Sequence, residues 1–337
     1  IQPSVLLITL LILYNFGISN FYQITIPMIL AEIIGFIFMF YFLQKFYPVK
    51  IINIIKEPLD SDIIRFSFPL MLVGLLGMIM HWIDILMLGF FLPPEDVGIY
   101  QPAVRTTGII RLFLVSFTGI FTPMISELLA KNAIGEMKNI YQLTCRWMIT
   151  LAIPFFIIVI ARSEQIMLLF GDQYLIGANL LFLLMLGMLF QAIGNPAGST
   201  LVMAGKTKLV LFNTILISIL NIALNIILIP KLGLIGAAWA TAISLIFLCI
   251  IRIFQMWYFY KMQPFVIYGL KSILSGFSLY LLISHLQFYM IDLHFLLNLF
   301  LTSIFVFIIY FISLYILRFE KEDLEVIHSI KLKLKGN

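Results

Sequence analysis

Ten long apolar stretches follow one another along the 337-residue chain, close to or above the ~20 apolar residues a helix needs to cross hydrocarbon. They run roughly over 3–19, 22–47, 63–92, 97–130, 139–161, 174–203, 207–229, 233–260, 264–287 and 293–318. Inside a bilayer every backbone N–H and C=O must be satisfied without water, so runs of this length form helices. The expected fold is an all-α polytopic membrane protein with about ten transmembrane helices. Composition agrees: 62% of residues are hydrophobic and 11% charged, with a mean hydropathy of +1.10. A soluble domain needs more polar surface than this. Pro93-Pro94-Glu95-Asp96, Gly171-Asp172 and Pro230-Lys231 supply turn chemistry between the stretches.

Basic residues alternate in side. Of the 21 lysines and arginines, Arg162 and Lys231 fall in connections on one side, and Arg105 and Arg111 inside a span. All the others, from Lys45 through Lys131, Lys206 and Arg252 to the tail lysines, fall in connections or span ends grouped on the opposite side. By the positive-inside rule that side is cytoplasmic, which places the C-terminus inside a multi-pass protein of the cell membrane. The net charge of +5 is thus a topology signal and implies no nucleic-acid partner. Cys145 and Cys249 have neither metal-type nor redox spacing and read as apolar fillers. Ile1 opens inside an apolar run with no visible signal peptide, so a missing N-terminal portion is expected.

The polar residues within spans carry the functional signal. A cation at the bilayer centre costs at least ~2.5–3.5 kcal/mol, so it faces a bundle interior or a watery cavity. Arg105 and Arg111 share the fourth span, and two cations in one helix imply a pocket for something negatively charged. Placed at 100° per residue, Thr107, Arg111, Thr118 and Thr122 fall on one stripe, with Gln101, Arg105, Gly108 and Ser116 on the adjoining arc. Arg111, Arg105, Thr107 and Thr118 are therefore the candidates for substrate contact. Acids are few: Asp84 in span three, Glu32 in span two, and Glu127 at the end of span four. His81 lies one turn from Asp84, so Asp84, His81 and Glu32 are the gating or ion-coupling candidates. Asp84 and Arg105 each lie roughly 12 Å from the helix ends that flank the Pro93-Pro94 turn, at 1.5 Å per residue. An Asp84–Arg105 ion pair is expected if the two helices are antiparallel neighbours. Gln191, Asn195, Asn221 and Asn225 are the polar residues that could line a cavity.

Two enzyme-like signals fail. Gly205-Lys206-Thr207 lacks the glycine at position 200 and the preceding strand of a phosphate loop. Asp60-Ser61-Asp62 resembles a metal-binding acid pair, but Ser61 or Asp62 serves equally as the cap of span three. No zinc motif, metal site or cofactor motif is present in the sequence, and no loop is long enough for a catalytic domain, so no enzyme activity is expected.

Two stretches carry a family likeness. One is Arg65-Phe-Ser-Phe-Pro69, running through Asp84 and Leu88-Gly89 to Val97-Gly98-Ile99-Tyr100. The other is Ala204-Gly205-Lys206-Thr207-Lys208, then Asn221, Asn225, Pro230 and Gly233-Leu-Ile-Gly-Ala-Ala238. Over Asp62 to about Tyr260 the chain resembles the O-antigen-type polysaccharide flippases of the multidrug/oligosaccharidyl-lipid/polysaccharide exporter superfamily. The resemblance implies part of a two-lobe, twelve-to-fourteen-helix transporter fold. It assigns residues 1–60 to the last two helices of an N-terminal lobe and 61–262 to a six-helix C-terminal lobe. Residues 263–318 become two additional helices and 319–337 a cytoplasmic tail. It implies export of a polyprenyl-diphosphate-linked oligosaccharide for surface polysaccharide synthesis, with membrane lipids and polysaccharide polymerase machinery as partners. The rival readings are a cation-coupled multidrug exporter of the same superfamily and a membrane-embedded glycan polymerase or glycosyltransferase.

Overall fold

In the computed structural model, residues 4–8, 22–46, 60–264, 267–286 and 295–316 are described. The helices are α1 (Tyr22–Phe46), α2 (Ser61–Phe91), α3 (Pro94–Thr107), α4 (Ile109–Ala130), α5 (Ile134–Ala161) and α6 (Ser163–Leu168). There follow a 3-10 turn (Asp172–Gly177), α7 (Ala178–Met203), α8 (Thr207–Leu232), α9 (Leu234–Tyr260), α10 (Ile267–Leu286) and α11 (Phe295–Ile316). Among the described residues, eight helical segments are long and apolar enough to cross a membrane, α3 and α4 together forming one of them. The apolar part of α10, Lys271–Ile283, is shorter. The first expected span lies outside the described residues apart from a helical stretch at 4–8. The chain is an all-α polytopic membrane protein. It divides into two compact units, Ile1–Ile64 and Arg65–Asn337. The first contains α1, and the packing below belongs to the second.

Helix boundaries follow local chemistry. Asp60, rather than Ser61 or Asp62, caps α2: its Oδ1 accepts the Asp62 backbone N–H at 2.8 Å, satisfying one of the orphan donors of the first turn. The Asp60-Ser61-Asp62 acid pair is thereby committed to a helix start. Pro94 opens α3 in the first-turn position where its missing N–H costs nothing. Gly233, at φ +60 and ψ −135, makes the corner between α8 and α9 with a conformation that L side chains avoid.

The expected continuous fourth span is interrupted. At Gly108 the backbone N–H lies 3.1 Å from the Val104 carbonyl and 3.2 Å from that of Arg105, and Arg111 N–H returns to the Gly108 carbonyl at 2.9 Å. This i→i+3 bonding tightens one turn and separates α3 from α4. A Cβ at position 108 would sit 3.1 Å from the Arg105 carbonyl oxygen. Irregular backbone at membrane depth is tolerated where it lines a cavity, and this break falls between the two arginines.

The parallel helices α7 and α9 form the centre of the second unit and approach through glycines. Ideal Cβ atoms on Gly187 and Gly194 would lie 3.1 Å from the Ala242 Cα and 3.0 Å from the Cys249 Cα. One on Gly198 would lie 2.8 Å from the Arg252 Cζ. Small residues permit such approach where no hydrophobic effect drives helices together in lipid. Beside them, α5 carries Ile149, Ile153 and Ile157 into a buried cluster with Leu279 and Ile283 of α10 and Val306 and Tyr310 of α11. The rings of Phe113 and Phe155, tilted with centroids 4.8 Å apart, and of Phe155 and Phe307, edge-on at 5.2 Å, extend this packing to α4. Fully buried Arg162 (1% exposed) follows α5 and donates from Nε to Thr302 Oγ1 of α11 at 3.0 Å. It is not the exposed loop cation that charge patterning suggests.

Gly194→Val should force α7 and α9 apart, and overpacking of this kind costs roughly 1–3 kcal/mol. We expect a lower melting temperature of the purified protein in detergent. Gly119→Ala, where nothing lies within 4 Å of the new Cβ, should melt like the parent.

Candidate functional site

A cavity of about 630 Å³ opens between α2, α3, the start of α4, α7, α8 and α9. The sequence candidates Asp84, His81, Arg105, Thr107, Arg111, Gln191 and Asn221 all lie in its wall. Arg105 and Arg111 flank the break at Gly108, both with exposed side chains. Neither guanidinium makes a hydrogen bond or ion pair with another described residue. The Thr107 hydroxyl bonds its own helix, donating to the Val104 carbonyl at 3.0 Å. Trp82 stands edge-on to the His81 ring, with centroids 5.4 Å apart.

Asp84 is held by neutral groups from three other helices. Asn225 Nδ2 of α8 donates to its Oδ1 at 2.7 Å. Thr241 Oγ1 of α9 donates to its Oδ2, and Tyr100 OH of α3 approaches the same oxygen at 3.4 Å. Asn225 Nδ2 also reaches Asn221 Oδ1 at 3.2 Å, and both asparagines are at most 2% exposed. The expected Asp84–Arg105 ion pair is therefore not formed. Equal depth brought the two residues to one cavity, but α8 and α9 supply partners for Asp84 that the α2–α3 hairpin alone could not reveal. His81 and Asp84 likewise share no hydrogen bond. The cluster offers carboxylate, amide and hydroxyl oxygens, the donor types that hard cations take. No group of three His, Cys, Asp or Glu comes together among the described residues.

Other candidates lie elsewhere. Thr118 and Asn195 are outside the cavity wall and bond to each other, Asn195 Nδ2 donating to Thr118 Oγ1 at 2.8 Å. Thr118 in turn donates to the Leu114 carbonyl at 2.6 Å, so its hydroxyl ties α4 to α7. Glu32 sits exposed on α1, and Glu127 pairs with Lys131 at 2.5 Å on the exposed end of α4. The sequence reading missed Tyr100, Thr241 and Ser244, and it grouped Arg252 with the cytoplasmic-side cations. Arg252 instead lies inside α9 and lines the cavity. A signal for it existed: Thr241, Ser244 and Arg252 follow i, i+3, i+11 spacing, a polar stripe along an apolar helix.

The MatE family matches residues 69–227, and the family described as "Polysaccharide biosynthesis protein" matches residues 2–129. The two family matches overlap between residues 69 and 129 and together take in residues 2–227 of the chain. Among similar proteins, "Probable low-salt glycan biosynthesis flippase Agl15" of Haloferax volcanii is 30% identical over 169 residues, 50% of this chain and 36% of that protein. "Capsular polysaccharide biosynthesis protein CapF" of Staphylococcus aureus is 25% identical over 240 residues, 69% of this chain and 59% of that protein. The chain thus spans well under two thirds of either relative. Among solved structures, "Lipid II flippase MurJ, inward closed conformation" superposes with a TM-score of 0.68 at 22% identity, covering 92% of this chain and 65% of that one. That likeness establishes the transporter fold.

If Asp84 is held by neutral donors and not by Arg105, the two should contribute independently. Asp84→Asn with Arg105→Gln should show a coupling within about 0.5 kcal/mol of zero in a thermal-unfolding cycle. Asp84→Asn with Thr241→Val should couple clearly, because each single change strands the other's partner.

Proposed function

We propose that the protein is a flippase that moves a polyprenyl-diphosphate-linked oligosaccharide from the cytoplasmic to the outer leaflet of the cell membrane for surface polysaccharide synthesis. The observation that carries the reading is the charge balance of the cavity. Arg105 and Arg111 face it without an acidic partner, while Asp84, the one acid among the described lining residues, is engaged by neutral donors. A cavity of that balance suits an anion. A diphosphate offers several oxygens to guanidinium donors in charge-assisted hydrogen bonds, and Thr107, Gln191 and Asn221 offer polar groups for sugar hydroxyls. The names of the glycan and capsule relatives support the same substrate class. A cation-coupled drug exporter would instead need unpaired acids at its centre, and none is found among the described lining residues.

In this reading residues 61–262 form the C-terminal lobe, 1–60 the end of the N-terminal lobe, and 263–318 the two additional helices. The C-terminus is cytoplasmic by the distribution of lysines. Membrane lipid accommodates the polyprenyl tail, and polymerase machinery consumes the product. Asp84, with its oxygen-rich neighbours, is the place where uptake of a proton or hard cation would bias alternating access, with His81 beside it and Glu32 on α1 as further candidates.

Arg111→Ala should abolish complementation of a flippase-deficient strain while the protein remains in the membrane. Arg111→Lys should restore it only in part, because an ammonium lacks the fork geometry that suits phosphate. Full complementation by the alanine variant would remove Arg111 from the mechanism. For orientation, cysteines at Glu95 and Asp172 should react with an impermeant thiol reagent from outside, and cysteines at Lys138 and Lys206 should not.

A further inference from the structure

The third cavity arginine differs from the other two in place and in seating. Arg252 leaves α9 and lays its guanidinium against Gly198 of α7, where an ideal Cβ would fall 2.8 Å from Cζ, 3.0 Å from Nε and 3.1 Å from one terminal nitrogen. Glycine at that position is what leaves room for the head group. Among the described residues no acid pairs with it and no hydrogen bond occupies its five N–H donors, yet it lines the same cavity as Arg111.

Its depth follows from helices that bond at one level. Asn195 of α7 meets Thr118 of α4, which lies seven residues beyond Arg111, and Gly198 lies three residues beyond Asn195. At 1.5 Å per residue the Arg252 head sits roughly 15 Å further along the bundle than the Arg111 Cα, whereas Arg105 is only about 9 Å from Arg111 in the opposite direction. Between the two levels, Gln191 projects from the same face of α7, and its buried Oε1 has no hydrogen-bond donor among the described residues. On α9 the buried Ser244 Oγ is equally unpartnered.

We propose that Arg252 is a second phosphate-binding station, separate from Arg111 and Arg105 and nearer the C-terminal end of α9. It would hold the diphosphate of the lipid-linked substrate at one end of its path, with Gln191 Oε1 accepting a hydroxyl of the attached sugar. This rests on the flippase reading, and by the topology proposed there the Arg252 station is the cytoplasmic one. It also gives Gly198 a purpose beyond close packing, since Gly198 seats the guanidinium. A half-buried cation with no acid partner among the described residues is expensive in the membrane interior, and an anion passing at that level offsets the cost.

The test uses the purified chain in nanodiscs of phosphatidylcholine, with inorganic pyrophosphate as the probe and calorimetric stoichiometry as the readout. Two pyrophosphates per protein are expected, falling to one in Arg252→Gln and to one in Arg111→Gln. Arg252→Lys should keep the second site with affinity weakened on the order of tenfold, as for loss of bidentate geometry. Gly198→Ala, which displaces only the flexible head of Arg252, should weaken that same site and have no further effect in the Arg252→Gln background. Unchanged stoichiometry in Arg252→Gln, with loss in Arg111→Gln, would overturn the second station and leave the flippase reading standing. Complete loss of binding in either single variant would mean that both arginines grip one anion, which also overturns it. Displacement of the Arg252-dependent pyrophosphate by added phosphatidylglycerol would reassign the site to a lipid headgroup. No binding to the parent protein would overturn both proposals.

Discussion

Placing a cation inside a membrane protein leaves three outcomes: an acid beside it, water around it, or an anionic ligand that comes and goes. The second unit of this chain assigns these outcomes unevenly. Arg162 is sealed among helices and donates to Thr302. Arg105, Arg111 and Arg252 are held open to one cavity instead. The break at Gly108, the glycine face of α7 and the polar stripe of α9 all serve that placement.

Asp84 is the counterpart. Its carboxylate could have neutralised one of the arginines, and its depth matches that of Arg105. Asn225 and Thr241, donated by α8 and α9, occupy it instead. The cavity therefore keeps two chemistries apart: oxygen ligands around Asp84 on one wall and unneutralised guanidinium groups on others. A transporter needs such separation if substrate and coupling ion are to bind at different moments, since ligands shift a conformational equilibrium only through differential affinity for its states.

The helices were legible because the bilayer requirement acts on composition over ~20 residues, and the interior residues of each helix are unambiguous in such runs. The cavity was legible in part. Arg105, Arg111 and Asp84 stood out because charge inside an apolar run is rare. What failed was partner choice. Asp84 and Arg105 were matched by depth along a hairpin, but the actual partners lie 141 and 157 residues away in sequence. Thr118 shared a stripe with Arg111, yet it lies seven residues further along α4 and meets Asn195 of α7. Arg252 was grouped with the cytoplasmic cations although it falls within the expected 233–260 span, eight residues before its end. Its loss from the cytoplasmic set leaves the lysine asymmetry intact.

The central claim is that the cavity selects an anionic, lipid-linked substrate. Reconstitution into proteoliposomes with a fluorescent polyprenyl-diphosphate sugar tests it most directly, with a membrane-impermeant quencher reporting which leaflet holds the label. The account predicts protein-dependent equilibration of the label between leaflets and no accumulation of a cationic dye under an imposed ion gradient. Dye accumulation, with the lipid-linked sugar confined to its original leaflet, would contradict it.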